Sequence, residues 1–229
     1  MIDEAVNSLR QGDPVIVYDR EGREEEADIF FAAERITPSD IRLMRTKGGG
    51  LICVSLHHKI ARIFGLPYLR DLLSKKVNGP IRHLVRKKLP YDTRSTFSIT
   101  VNHVDTYTGI TDRDRALTIS QLGKLCSKIW KEQLTKREGR ESFIQAFRAP
   151  GHVFLLRGTK NLLVERTGHT ELSLALALLG EFTPCIALVE MLGDNGKALS
   201  LNAAKQFAKD KGYFFLKGEK IIESYSKEW

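Results

Sequence analysis

The sequence has no run of the roughly 20 apolar residues that a membrane-spanning helix requires, which excludes a helical span. It has little cysteine: three among 229 residues, Cys53, Cys126 and Cys185, scattered and without metal-ligand spacing. That excludes a disulfide framework or a thiolate zinc site, and predicts buried, reduced thiols in a cytoplasmic setting. Aromatic residues make up only 8% of the chain, and no nucleic-acid-binding motif accompanies them. Residues 1–10 lack the apolar run of a secretory signal. No internal repeat, low-complexity tract or linker divides the chain. With 42% of residues hydrophobic, the composition predicts one soluble domain, 1–229, with a well-buried core.

What the chain does have is positive charge, a net +8. Much of it lies between Arg82 and Arg94 (Arg82, Arg86, Lys87, Lys88, Arg94), with more from Lys131 to Arg140. Such a patch reads as a solvated basic face, as an RNA-binding surface, or as a field suited to a phosphorylated small substrate. Charge alone does not choose among them.

Apolar periodicity predicts a helix over residues 1–10, broken at Gly12-Asp13-Pro14, and a buried strand over 15–18. An acidic stretch, 19–28, separates that strand from the apolar run 29–33. Thr37-Pro38 opens a helix that Gly48-Gly49-Gly50 ends. Further strands are expected at 51–56, 97–101, 153–156, 161–164, 186–192 and 213–216. Further helices are expected at 120–135, 171–179 and 202–211, and residues 60–90 read as mostly loop. The pattern fits an α+β (α/β-like) single domain, a mixed twisted β-sheet flanked by helices.

Two segments carry chemistry. In Asp19-Arg20-Glu21-Gly22-Arg23-Glu24-Glu25-Glu26-Ala27-Asp28, six of ten residues are acidic. If the stretch is extended, Glu24, Glu26 and Asp28 share one face. Three carboxylates there repel unless a divalent cation or arginines neutralise them; a hydrated loop has the same composition. The second segment is Arg166-Thr167-Gly168-His169-Thr170-Glu171, before a predicted helix that Thr170 is placed to cap. Free N–H groups at a helix start, with Arg166 beside them, suit a phosphate. His169 reads either as a structural histidine or as a metal ligand or acid/base group. His152, before a strand, and Glu190, inside the apolar run 186–192, are further candidates. A carboxylate in such a run needs an arginine, a metal or a catalytic role to account for it.

These motifs together resemble the 3,4-dihydroxy-2-butanone 4-phosphate synthase family, in its stand-alone form. The match runs from about Met1 to Tyr225. It rests on Asp-x-Glu-x-Arg-Glu-x-Glu-x-Asp from Asp19 to Asp28, Gly-His-Val-Phe from Gly151, Arg-x-Gly-His-Thr-Glu from Arg166, and Glu190. The resemblance implies a lyase of riboflavin biosynthesis that converts D-ribulose 5-phosphate to 3,4-dihydroxy-2-butanone 4-phosphate and formate. It implies Mg²⁺ or Mn²⁺, two per active site with substrate bound, with Glu24 and His169 as metal ligands and Glu26 near a second ion. Arg23, Glu24, Asp28, Arg166, Thr167, Gly168, His169, Thr170 and Glu190 are implied to bind substrate. His152, Glu190, Glu26 and Asp19 are implied to be catalytic. It also implies a mobile acidic lid and a homodimer whose sites draw on both subunits, with no nucleic-acid or membrane partner. Many members carry cysteine where this chain has Ser55, with Cys53 two residues earlier on the same strand face. Thr108 and Thr111–Arg115 resemble a family segment near the site. The competing expectation is an RNA-binding protein on a related α/β fold that uses residues 82–94.

Overall fold

The computed structural model describes residues 1–228 except Arg86, Lys88, Tyr91 and Thr93. Arg86 and Lys88 of the basic patch therefore lie outside the described residues. Helix α1 (Ile2–Gln11) leads into strand β1 (Val15–Tyr18), which turns back as β2 (Ala27–Ala32). Helix α2 (Pro38–Lys47), β3 (Cys53–Leu56) and three short helices follow, α3 (His58–Ile63), α4 (Leu69–Lys76) and α5 (Pro80–Leu84). Then come β4 (Phe97–His103), α6 (Asp112–Trp130), α7 (Lys136–Ala146), β5 (Phe147–Arg157) and α8 (His169–Leu179). The chain closes with β6 (Cys185–Glu190), α9 (Leu201–Lys211), β7 (Phe214–Lys217) and α10 (Gly218–Glu228).

The strands form one mixed seven-stranded sheet in the order β4-β5-β3-β6-β2-β1-β7. β3 runs parallel to β5, and β1 to β7; the other pairs are antiparallel. Helices cover both faces, so the central strands are apolar on both sides, and Val15–Tyr18 and Ala27–Ala32 are buried throughout. Alternation then divides the core. Ile16, Ile29, Phe31, Val54, Leu155 and Val189 pack toward α2, α6 and α9, with Met44, Ile119 and Ala204. Val17, Phe30, Cys53, Ile186 and Leu188 pack toward α1, α8 and α10, with Leu9, Leu172 and Ile221.

The expected fold class holds, and several boundaries move. Residues 60–90, read as mostly loop, contain α4, α5 and most of α3. Residues 161–164 are not a strand but a single 3₁₀ turn over Leu162–Val164 that tucks Leu162 into the core. Capping explains the shift near residue 120: the Thr111 hydroxyl accepts from Asp114 N–H at 3.1 Å and starts α6 at Asp112. At Thr135 a reciprocal capping box with Glu138 starts a separate helix, α7, rather than ending the previous one. Helix α10, absent from the sequence reading, folds Ile221 into the core.

Candidate active site

The site lies where the β1–β2 turn and the start of α8 meet above one end of the sheet. Asp19 organises the turn. Its buried carboxylate accepts the backbone N–H groups of Glu24 and Glu26, each at 3.1 Å, and the Arg23 guanidinium at 3.2 Å. Gathering those N–H groups curls the loop, and Glu25 takes φ 58. Residues 24–26 are therefore not extended, and the simple three-carboxylate face expected from spacing does not form. Curling achieves convergence by another route.

His169 is the first residue of α8, with Gly168 as N-cap. Thr170 does not cap this helix; its hydroxyl is buried against that of Thr96 at 3.0 Å. The His169 ring stands between two carboxylates, Nδ1 3.4 Å from Glu24 Oε2 and Nε2 3.5 Å from Asp28 Oδ1. Phe30 meets the ring edge-on at 6.2 Å and closes it off from the core. Nε2 and both Asp28 oxygens are buried without a hydrogen-bond partner among the described residues. Asp28 is Cα-paired across the ladder with Glu190, which brings that carboxylate to the same end of the sheet.

The electrostatics follow from this crowding. Burial opposes charge on Glu24, but the hydrogen bond from His169 and the Arg23 guanidinium 2.6 Å away outweigh it and hold the carboxyl near 2. Burial likewise opposes charge on His169, yet Asp28, Glu24 and Asp19 lift it to about 9. Burial, reinforced by Glu190 and Glu24, pushes Asp28 well above the usual carboxylate range, against the pull of His169. Glu26 rises through burial and then through Glu24 and Glu190. One ligand atom each from Asp19, Glu24 and His169 falls within 4.8 Å of the others. Carboxylate oxygens with one imidazole suit a hard divalent cation such as Mg²⁺ or Mn²⁺, and the unpartnered Asp28 and His169 atoms are what such an ion would satisfy. Asp19 is the least available donor, since both its oxygens already brace the turn.

Beside this cluster Arg166 spans two acids, Nε to Asp92 Oδ2 at 2.5 Å and Nη1 to Glu171 Oε2 at 2.6 Å. Glu171 is fully buried and also accepts Thr159 N–H at 3.2 Å. A Cβ on Gly168 would fall 2.2 Å from Arg166 Nη1 and 2.5 Å from Arg23 Nη2, so a glycine lets both guanidinium groups close on this turn. A cavity of about 310 Å³ opens here, lined by Arg70, Arg94, Thr96, Asp92 and Arg166. Arg94 thus faces the site, its guanidinium over the Tyr68 ring at 3.8 Å. Charge alone had left the role of the 82–94 patch open. Asp92, Arg94 and Thr96 lie 70 or more positions from Arg166, and only the alternating strand just after them hinted that they are anchored.

The remaining candidates are not all in contact with the cluster. Thr167 is half-buried at the turn. His152 stands apart on β5, which β3 separates from the Glu190 strand, and its ring is exposed. Strand pairing nevertheless puts His152 on the sheet face that carries Glu190 and Asp28, in the same row: Phe154 lies across from Cys53, Cys53 from Leu188, and Leu188 from Phe30. Ser55 lies below the site, its hydroxyl 2.8 Å from that of Ser173 and 3.2 Å from the Ile186 carbonyl.

Comparison with known proteins gives a consistent picture. The sequence model of the family described as 3,4-dihydroxy-2-butanone 4-phosphate synthase matches residues 3–224. The 3,4-dihydroxy-2-butanone 4-phosphate synthase of Archaeoglobus fulgidus is 42% identical over 229 residues, covering 98% of this chain and 94% of that one. The protein of that name from Methanothermobacter thermautotrophicus is 42% identical over 231 residues, covering 98% and 96%. Among solved structures, the Candida albicans 3,4-dihydroxy-2-butanone 4-phosphate synthase superposes with a TM-score of 0.73 at 28% identity, over 97% of this chain and 96% of that one.

Proposed function

The chain belongs to the 3,4-dihydroxy-2-butanone 4-phosphate synthase family, and we propose that the His169 pocket is where it performs that family's lyase reaction. That reaction converts D-ribulose 5-phosphate to 3,4-dihydroxy-2-butanone 4-phosphate and formate, in riboflavin biosynthesis. One observation carries the assignment of the pocket. A buried imidazole stands between two carboxylates, three residues along the chain from an arginine that opens onto a cavity of about 310 Å³, roomy enough for a sugar phosphate.

Glu24 and His169 would hold a divalent cation, Mg²⁺ or Mn²⁺, with a second near Glu26 once substrate is bound. Such an ion would supply Lewis-acid stabilisation of negative charge on substrate oxygens. The protein does the rest. Arg166 and the N–H groups of residues 168–170, at the start of α8, hold the substrate phosphate, with Thr167 at the rim. Arg23 and Asp28 orient the sugar. Glu190 and Glu26 handle protons at the reacting carbons; burial and like charge raise the Glu26 pKa, which makes that carboxylate a better base. Asp19 acts indirectly, by setting the curl that aims Glu24. His152 engages a substrate oxygen from the far side of the row.

A homodimer completes the site. Its support is the exposure of His152 together with nearby apolar residues on the β4–α6 connection, Tyr107 at 94% and Ile110 at 50% exposed, which a second copy would cover. Three free, buried cysteines suit a reducing cytoplasm, and no described helix is long and apolar enough to cross a membrane. The RNA reading loses one residue of its patch, because Arg94 faces the cavity, whereas Arg82 and Lys87 are exposed.

The test is formate release from ribulose 5-phosphate by the purified protein, with Mg²⁺ and then with EDTA. Metal-dependent formate that disappears in Glu24→Ala and Glu190→Ala is the expected result. No formate under any metal condition would overturn the assignment.

A further inference from the structure

The orientation of His152 is decided by Asn102, a buried residue of β4 that sequence reading had passed over. The Asn102 amide has no freedom to flip, because two backbone groups define its ends. Its Oδ1 accepts the backbone N–H of His152 at 2.8 Å, and its Nδ2 donates to the carbonyl of Thr108 at 3.3 Å. The same Nδ2 lies 3.2 Å from His152 Nδ1. An amide nitrogen offers only hydrogens, so Nδ1 must offer its lone pair. A neutral imidazole has one N–H, and with Nδ1 accepting, that hydrogen sits on Nε2.

The clamp is tight on two further sides. Gly109 has φ +94, and a Cβ there would fall 2.0 Å from Asn102 Nδ2. A Cβ on Gly151 would fall 2.0 Å from the Val101 carbonyl carbon. Three segments, the neighbouring 101–102 and 108–109 and the distant 151–152, are thereby fixed around one amide. The Nε2 end of the ring has no hydrogen-bond partner among the described residues and is exposed, free to meet a substrate oxygen.

We propose that Asn102 is a positioning residue that holds His152 in its Nε2–H form, so that His152 meets the substrate as a hydrogen-bond donor. Proton abstraction then falls to the carboxylates, Glu190 and Glu26. The role in the reaction rests on the placement of His152 at the substrate given above; the tautomer does not.

Histidine-labelled full-length protein, studied by two-bond ¹H–¹⁵N correlation and assigned with His152→Gln, reads the tautomer directly. The expected spectrum has a pyridine-like Nδ1 and a pyrrole-like Nε2 for His152. In Asn102→Asp the side chain can only accept, so the pattern reverses, and kcat for formate release falls by about 100-fold or more while KM stays within about threefold. A pyrrole-like Nδ1 in the unaltered protein, or an unchanged pattern in a folded Asn102→Asp, overturns the proposal. The unaltered protein's spectrum carries the test if the variant fails to fold. With the expected spectrum but no formate from the unaltered protein, the assigned reaction fails and the tautomer stands.

Discussion

His169 Nε2 and Asp28 Oδ1 stand 3.5 Å apart on two buried side chains, and neither atom has a hydrogen-bond partner among the described residues. Burial and the neighbouring Glu190 and Glu24 make the Asp28 charge costly, and a carboxylate kept at such a position signals function. Asp28→Asn keeps the shape and removes the repulsion. Formate release should fall by about 100-fold, while the melting temperature in EDTA changes little, because relief of repulsion from Glu190 and Glu24 is offset by the lost attraction for His169. Thermal melts alongside a formate assay check both halves. A large loss of stability would mean that Asp28 mainly anchors His169.

The same cluster sets a pH dependence. His169 is raised from 6.5 to about 9, so its contribution to folding is fully present below 6.5 and is lost as pH rises through 9. The shift corresponds to about 3 kcal/mol at most. Glu24, lowered from 4.5 to about 2, contributes above 4.5 and loses its contribution as pH falls through 2. The Glu24–His169 attraction is common to both shifts and counts once; the rest comes from Asp28 and Asp19 on His169 and from Arg23 on Glu24. Metal-free protein should therefore lose melting temperature between pH 6.5 and 9, and His169→Gln should flatten that slope. Mg²⁺ affinity should rise over the same window, because binding displaces the His169 proton; calorimetry at pH 6.5 and 9 would show it.

What could be read from sequence was the chemistry that sits in short runs. Arg23, Glu24, Glu26 and Asp28 are within six positions, and Arg166 to Glu171 fill one turn; spacing singled both out, but left a hydrated loop and a structural histidine open until the family resemblance was added. Helices α1, α2 and α9 were legible because Gly12, the Thr37-Pro38 start and Gly212 punctuate them. The unread parts depend on long-range contacts. Asp92 matters only because folding lays it on Arg166, and Asn102 only because Gly109 and Gly151 close around it. The helices at 58–84 are short, and α5 buries no residue, so they leave little periodic signal.

Ser55, where relatives were expected to carry cysteine, has a local explanation. Its hydroxyl ties β3 to α8 through Ser173: either Ser55 donates to Ser173, which donates to the Thr170 carbonyl 2.9 Å away, or Ser173 donates to Ser55, which donates to the Ile186 carbonyl at 3.2 Å. Ser55→Cys replaces a strong hydrogen bond with a weak one, and should cost about 1 kcal/mol. Because Ser55 lies beneath the His169 cluster rather than in it, kcat should stay within about twofold of the parent, or about 0.4 kcal/mol. A tenfold rise or fall in formate release would instead make the hydroxyl part of the chemistry.

Asp92 gives the sharpest prediction about substrate binding. Its Oδ2 is 2.5 Å from Arg166 Nε and 3.3 Å from Arg23 Nη2, so one carboxylate occupies guanidinium edges that a phosphate would use. Arg166 keeps a second partner in buried Glu171, which fixes the guanidinium whether or not Asp92 is charged. Removing the Asp92 charge should therefore strengthen attraction for a phosphate dianion without releasing the arginine. Asp92→Asn should lower KM for ribulose 5-phosphate about fivefold, equivalent to about 1 kcal/mol, and the gain should shrink with added salt. A matched decrease in kcat would show that the carboxylate also helps release the phosphate product. A raised KM would mean that Asp92 orients Arg166 for binding and does not compete with the phosphate. Steady-state kinetics of the variant at two salt concentrations separate these outcomes.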